Sequence, residues 1–285
     1  MTSQPTARRP TQPIDAATMH RLMLHEARIH AVPGRDLRDL GDAILLVDPI
    51  DPDPFWNRLE CLRWPDAPDA FDRRLTEALV LFASHGRRPH IWASPLHDAP
   101  VDLVPRLVAN GFQDLGAGDL MVLTDPGPAR AAVGTALPDG AVVERLAGLG
   151  PSRAAAAAPD VAHVLLDAFE VDEARRTGLE RETATALAHP WFTYYLARLD
   201  GRPTAVARRA TFDGASYLSS IGTVGWARGR GLGGLLTRLA SADALAAGSD
   251  WTYLGVFADN VGASSVYRQA GYERLGQSCP DLVLL

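Results

Sequence analysis

IGTVGWARGRGLGGLLTRL, residues 221–239, joins an apolar run to a helical repeat across a cluster of glycines. The run that ends in Thr223 and Val224 predicts a strand. Arg228-Gly229-Arg230-Gly231-Leu232-Gly233-Gly234 predicts a tight turn, after which Leu235, Leu236 and Leu239 recur at helical spacing. A strand that breaks on glycines and opens directly into a helix leaves the first helical N–H groups without acceptors, at the positive end of the helix dipole. Such a terminus attracts anions. Glycine lets an anion come close to the backbone, and Arg228 and Arg230 add positive charge. The stretch therefore predicts a cradle for a diphosphate.

Which diphosphate can be narrowed from the residues. A P-loop ends in Gly-Lys-Ser/Thr, and the chain contains no lysine, so that site is excluded. Gly229, Gly231 and Gly234 satisfy the GxGxxG pattern of dinucleotide folds, with Asp259 closing the next apolar run. Yet this acidic residue comes late, and only about fifty residues follow the loop. A dinucleotide fold carries several further strand-helix units. A dinucleotide-dependent oxidoreductase stays as an alternative that rests on the glycine pattern alone.

The region as a whole resembles the GNAT acyl-CoA N-acyltransferases. Arg228-x-x-Gly231-x-Gly233 is similar to the family's Q/R-x-x-G-x-G/A signature. Leu254-Gly255-Val256 looks like its fifth strand, and Asn260, Ala263, Tyr267 and Gly271-Tyr272 follow its N-x-x-A-x-x-x-Y-x-x-x-G-F/Y spacing. Loop, strand, Asn, Tyr and Gly-Tyr in order over about fifty residues are specific where the loop alone is not. One position departs: the family often has proline three residues before the arginine, and here it is Gly225.

The resemblance implies acetyl-CoA as cofactor and transfer of its acetyl group to a primary amine, on a small molecule or a peptide. It assigns the backbone N–H groups of Arg228, Gly229, Arg230, Gly231, Leu232, Gly233 and Gly234 to the pyrophosphate. The strand edge at Gly222, Thr223 and Val224 would bond the pantetheine amides. Asn260 would bond the pantetheine arm or cap the following helix. Tyr267 is the expected general acid, since a phenol with pKa near 10 stays protonated at neutral pH and can donate to the departing sulfur. Direct attack in a ternary complex is expected because the motif region holds no cysteine to carry the acyl group; Cys279 is the one distant exception. No general base is identifiable among Asp167, Glu170, His163, Ser219 and Ser220. A non-catalytic acyl-CoA sensor is therefore a further alternative. Tyr194, Tyr195, Trp191 and Trp226 are candidates for the acceptor pocket, with core packing the commoner role for each.

The chain has 285 residues, enough for one large domain or two ordinary ones. Its 47% hydrophobic and 22% charged content is that of a globular protein. A net charge of −6 argues against a nucleic-acid surface. No apolar run approaches the ~20 residues of a membrane helix, and the polar, proline-rich opening MTSQPTARRPTQP has no signal-peptide core. Residues 1–13 are expected to be a disordered lead-in to a cytoplasmic protein. Cys61 and Cys279 give neither a disulfide framework nor metal spacing, and the eight histidines form no HxxxH pattern, so no metal site is expected.

Ahead of the cradle, helical patterns cover 16–29, 70–85 and 101–110, and short strands 43–47, 89–93 and 119–123. The stretch 126–140, rich in Pro, Gly and Ala, reads as a linker. Beyond it come a strand over 141–146 and a low-complexity loop or frayed start at 151–158. A helix capped by Asp160 follows, then a helix over 175–188. Phe192–Leu199 and Pro203–Thr211 flank an Asp200-Gly201 hairpin turn. The end of the first half parallels the end of the chain: a shift of 160 places Gly111 on Gly271, Phe112 on Tyr272, Leu115 on Leu275 and Gly116 on Gly276. A repeat on this scale suggests two copies of one domain. The expected fold is thus α+β, two GNAT-like domains in tandem over 14–125 and 141–285, each a mixed, mostly antiparallel sheet flanked by helices. The shift sets the cradle against residues 68–74, PDAFDRR, which hold no glycine. Tyr267 falls on Leu107 and Asn260 on Pro100, so the first copy reads as degenerate.

Overall fold

A computed structural model describes residues 14–285, and the expected lead-in lies outside them. The first repeat runs α1 (Ala16–Ala31), β1 (Asp36–Asp39), β2 (Ile44–Val47), β3 (Arg58–Glu60), α2 (Pro68–Ser84), β4 (His90–Trp92), α3 (Leu103–Ala109), β5 (Phe112–Asp114) and β6 (Gly118–Leu123). A short helix, α4 (Gly127–Ala132), leads to β7 (Ala141–Ala147), α5 (Pro151–Ala168) and α6 (Arg176–Ala188). The chain ends with β8 (Phe192–Leu199), β9 (Arg202–Phe212), β10 (Ala215–Thr223), α7 (Leu232–Ala246), β11 (Trp251–Phe257), α8 (Val261–Gln269), β12 (Tyr272–Arg274) and β13 (Asp281–Leu284).

These strands build two sheets, in the orders β1-β2-β3-β4-β13-β5 and β12-β6-β11-β10-β9-β8-β7. In the first, only β3 and β4 run parallel among the paired strands, bridged by α2. In the second, β10 and β11 are parallel, bridged by α7, while β7 to β10 are antiparallel. The fold is therefore α+β with two mixed sheets, and a doubly wound dinucleotide fold, which needs consecutive parallel strands, is overturned.

The repeat is visible in the backbone. α3 and α8 each stop at a glycine in the left-handed region, Gly111 at φ +92° and Gly271 at φ +95°, where an L side chain is strained. Each glycine is followed by an aromatic that starts a strand, buried Phe112 or buried Tyr272. The final strands of the two repeats, however, change places. β13 lies between β4 and β5 in the first sheet, and β6 lies between β11 and β12 in the second. The spatial units consequently interleave: one holds residues 14–120, 256–260 and 274–285, the other 121–255 and 261–273. This differs from the linear division at 125 and 141, because the partners of β6 and β13 lie in the other half of the sequence.

In the first unit α2 turns Phe71, Leu75, Ala78 and Phe82 onto a core that also takes Leu45, Leu59, Ile91, Phe112 and Leu282. Each large apolar side chain buried there contributes about 1.5–3 kcal/mol. Beneath α1 this unit buries charges: Arg58 donates to Glu26 at 2.6 Å. Burial alone would raise the Glu26 carboxyl, but Arg58 and His30 outweigh it and hold the group down at about 2.

Two local expectations are corrected. The alanine-rich 151–158 is the first half of α5, an unbroken helix with Pro151 in its first turn and Pro159 inside it. Alanine has the highest helix propensity, so the low-complexity run is ordered and Asp160 is no cap; it accepts from Arg198 at 2.6 Å. The stretch read as a linker contains α4, whose Ala129 and Ala132 are buried. β1 and β3 had no counterpart in the sequence reading.

Candidate functional site

β10 and α7 bring the glycine cluster to one place. β10 ends at Thr223, a single turn of tight helix crosses Gly225–Ala227, and Gly231 caps α7 at φ +75°. Gly229 adopts φ +79°, and a Cβ on either glycine would meet nothing within 4 Å. Space is thus no reason for these glycines; the left-handed turn is. It aims α7 so that the N–H groups of Leu232, Gly233 and Gly234, unsatisfied by helix geometry, point outward, and no side chain caps them. Leu232, Leu235 and Leu236 are buried and pin the helix start to the sheet.

Not all of the expected cradle groups are free. The Arg228 N–H donates to the Gly225 carbonyl at 3.4 Å. Its guanidinium donates to the carbonyls of Ala168, at 3.1 Å, and Thr223, at 3.4 Å. Arg228 therefore ties the end of α5 to β10 while its exposed guanidinium stands beside the glycine turn. Arg230 remains exposed, over the ring of Trp226 at 5.9 Å from its centroid.

The strand edge is narrowed in the same way. β10 pairs with β11 only from Ala215–Trp251 to Leu218–Leu254. Past that point a bulge falls between Ser219 and Gly222, with Ser220 at φ +51°, and β10 continues on β9 alone. The Val224 N–H donates to Thr204 on the β9 side, at 2.9 Å. Main-chain groups alternate in direction along an antiparallel strand, so Gly222 also faces β9. Thr223 is the residue whose N–H and C=O face the open edge. Gly222 has a different duty: a Cβ there would lie 2.7 Å from the Ala168 Cβ and 3.3 Å from the Phe169 ring, so only glycine lets α5 close on the strand.

Tyr267 sits on α8, and α8 packs against α7 where Val266 approaches Gly234. Its ring is buried near that of Tyr272, which is itself held by Ser241 at 2.7 Å. No described residue hydrogen-bonds the Tyr267 hydroxyl, and burial alone pushes it up to about 12. The group is thus a proton donor at any physiological pH. Asn260 falls in the turn before α8, its N–H donating to Phe257 at 2.9 Å, and belongs to the other compact unit. Cys279 is buried, and burial pushes its thiol up to about 12; it is no ready nucleophile.

A sheet that opens beside a bulge, next to a glycine turn starting a helix, has a counterpart in known proteins. Residues 159–272 match the sequence profile of the Acetyltransferase (GNAT) family. The matched segment lies within the carboxy-terminal half of the chain and spans α7, β11 and α8. No curated protein matches the chain. Solved structures share its fold over nearly the whole length. A GCN5-related N-acetyltransferase from Kribbella flavida is 21% identical, with a TM-score of 0.68 and 96% of each chain covered. A tandem GNAT protein from the clavulanic acid biosynthesis pathway is 16% identical, with a TM-score of 0.60, covering 95% of this chain and 96% of that one. A GCN5-related N-acetyltransferase-like protein from Streptococcus suis is 12% identical, with a TM-score of 0.52 and coverage of 92% and 100%. The tandem arrangement read from the repeat agrees with these.

The first repeat has no glycine turn at the corresponding helix start. α2 occupies the place of α7, but it starts on Pro68, which has no N–H, and carries Asp69 in its first turn. A carboxylate there opposes an anion.

The face of the second sheet covered by α5 holds a residue that the sequence reading passed over. Arg208 in β9 is buried, donates to the Ser219 hydroxyl at 2.9 Å and lies beside the rings of Phe192 and Tyr194. No carboxylate among the described residues pairs with it. The signal was present: Arg208-Arg209 interrupts an otherwise apolar strand. Of the base candidates, Asp167 is engaged by the Gly225 N–H at 2.6 Å and Ser219 by Arg208. Glu170 and His163 are exposed, and Glu170 adopts φ +53°. Tyr195 bonds Asp243, and Trp191 stacks flat on Phe212; both are structural. Trp226 is exposed, under Arg202 at 4.6 Å.

Proposed function

We propose that the carboxy-terminal half is an N-acetyltransferase that binds acetyl-CoA and acetylates a primary amine. The observation that carries this is the conjunction of Gly231 as a left-handed cap and the open edge of β10 at Thr223. The residues present fit the group. Three outward N–H groups and a helix dipole suit a diphosphate, Arg230 adds charge, and Thr223 offers its N–H to the arm, with a carbonyl lone pair beside the one that accepts from Arg228. Acetyl-CoA supplies an activated thioester when bound. Tyr267 holds a proton for the sulfur, and its buried ring keeps the hydroxyl in a water-poor place. The acceptor amine attacks directly, without a covalent enzyme intermediate, and gives its proton to water.

Calorimetric titration with acetyl-CoA, with NADH and NADPH alongside, tests the reading. One acetyl-CoA per chain supports it; binding of NADH alone overturns it. Release of free thiol with a panel of primary amines, with and without a carboxylate in view of Arg208, separates an enzyme from an acyl-CoA sensor. A sensor binds the coenzyme and releases no thiol with any amine. Two acetyl-CoA per chain would mean that the first repeat also retains a site.

A further inference from the structure

Away from the acyltransferase residues, the fold gathers three metal-type donors that stand far apart in sequence. His20 on α1, Cys61 just after β3 and His97 after β4 offer two ring nitrogens and a sulfur, all within 4.8 Å of one another. His20 Nδ1 and His97 Nε2 are 3.1 Å apart. Two imidazole nitrogens at tetrahedral angles round zinc, with bonds of ~2.0–2.1 Å, stand about 3.3 Å apart. Cys61 and His97 are buried and His20 is half-buried, which leaves one side of the trio reachable from solvent.

The surrounding chain holds these donors in place. Cys61 adopts φ +58°, a conformation that costs a non-glycine residue about 1–2 kcal/mol and fixes the direction of its side chain. Asp98 accepts from the N–H groups of Leu62, at 3.0 Å, and Ser94, at 2.8 Å. The Arg63 guanidinium donates to the His97 carbonyl at 2.9 Å. The loop bearing Cys61 and the loop bearing His97 are thereby clamped together. Glu60, Asp98, Glu26 and Arg58 all lie within electrostatic reach of the Cys61 thiol.

We propose that His20, Cys61 and His97 bind a divalent transition metal ion, zinc by donor type, with a fourth position open to water. Two imidazoles and one thiolate form a borderline-soft set that suits zinc better than calcium or magnesium. On binding, the thiol gives its proton to water as the sulfur–metal bond forms. The ion ties α1 to both loops, so this unit is more stable with metal than without. The inference is independent of the acyltransferase reading.

The test uses the full chain, stripped with a chelator and titrated with Co²⁺. The expected result is one Co²⁺ per chain with a sulfur-to-cobalt charge-transfer band that Zn²⁺ displaces. Cys61→Ser abolishes the band, and His97→Gln weakens Co²⁺ binding at least ten-fold. Wild-type chain that stays folded, by circular dichroism, and shows no such band overturns the proposal and leaves a plain His–His hydrogen bond. A band undiminished in Cys61→Ser overturns it too, placing the metal elsewhere. The wild-type titration decides even if a variant fails to fold.

Discussion

Gly231 and Gly248 offer a controlled comparison on one helix. Both have φ +75° and nothing within 4 Å of a built Cβ, and they flank the two ends of α7. Alanine at either position must accept a left-handed conformation at about 1–2 kcal/mol. For a unit of this size that lowers Tm by about 2–8 °C, taking ~2–4 °C per kcal/mol. The stability penalty is therefore equal at the two ends. Coenzyme binding is not. If the Gly231→Ala turn relaxes, the N–H groups of Leu232, Gly233 and Gly234 rotate away from a common point. A hydrogen bond to a charged group contributes about 1.5–3 kcal/mol, so losing one lowers acetyl-CoA affinity about 10- to 150-fold. Calorimetric titration at 25 °C, with thermal melts on the same samples, gives both numbers. The expected pattern is similar Tm losses with weakened acetyl-CoA binding in Gly231→Ala alone. Equal affinity in the two variants would refute the assignment of the α7 N-terminus to the diphosphate.

Other outcomes follow from the same geometry. Tyr267→Phe keeps the buried ring and removes a hydroxyl that no described residue bonds, so stability changes by less than about 0.5 kcal/mol. The rate of thiol release falls ~10²–10⁴-fold with acetyl-CoA affinity unchanged; because burial raises the phenol to about 12, its ionisation imposes no loss of wild-type rate up to pH 10. Gly222→Ala drives a methyl into Ala168 at 2.7 Å and costs about 1–3 kcal/mol as overpacking, read by urea melts. Glu26 is held at about 2 in the folded protein against an ordinary 4.5, so the unfolded chain binds the extra proton between those values. The stability this provides is complete above pH 4.5 and lost as pH falls through 2. Glu26→Gln therefore destabilises by about 3 kcal/mol at neutral pH, and the gap to wild type closes near pH 2 in denaturant melts.

Elements whose determinants are local were legible. Helices α1 and α2 follow their apolar spacing, α6 stops before His189-Pro190, and the Asp200-Gly201 hairpin follows its turn chemistry. The strand, glycine turn and helix were legible because they lie within nineteen residues, 221–239. Features set by distant partners were not. β3 is a strand whose Arg58 and Glu60 are both buried, and its charge is answered by Glu26 on α1. The duty of Arg228 depends on the end of α5, and the outward face of Thr223 depends on a bulge that shifts the ladder. β6 and β13 carry similar local patterns, so their exchange between sheets left no mark on either. The His20, Cys61 and His97 donors sit on three separate elements, and spacing rules made for single loops cannot find them.

The exchanged strand also sets an order of events during synthesis. Domains ordinarily fold as units, the amino-terminal one first, while the rest of the chain is still being made. Here the first sheet lacks the strand between β4 and β5 until translation has passed Leu284. Until then both strands present bare edges, the kind that recruit other chains. The amino-terminal repeat is thus the earlier made and the later finished. Its completion comes after Tyr267 and α8 have been made, so a nascent chain stalled before β13 holds every strand of the second sheet and still lacks one of the first.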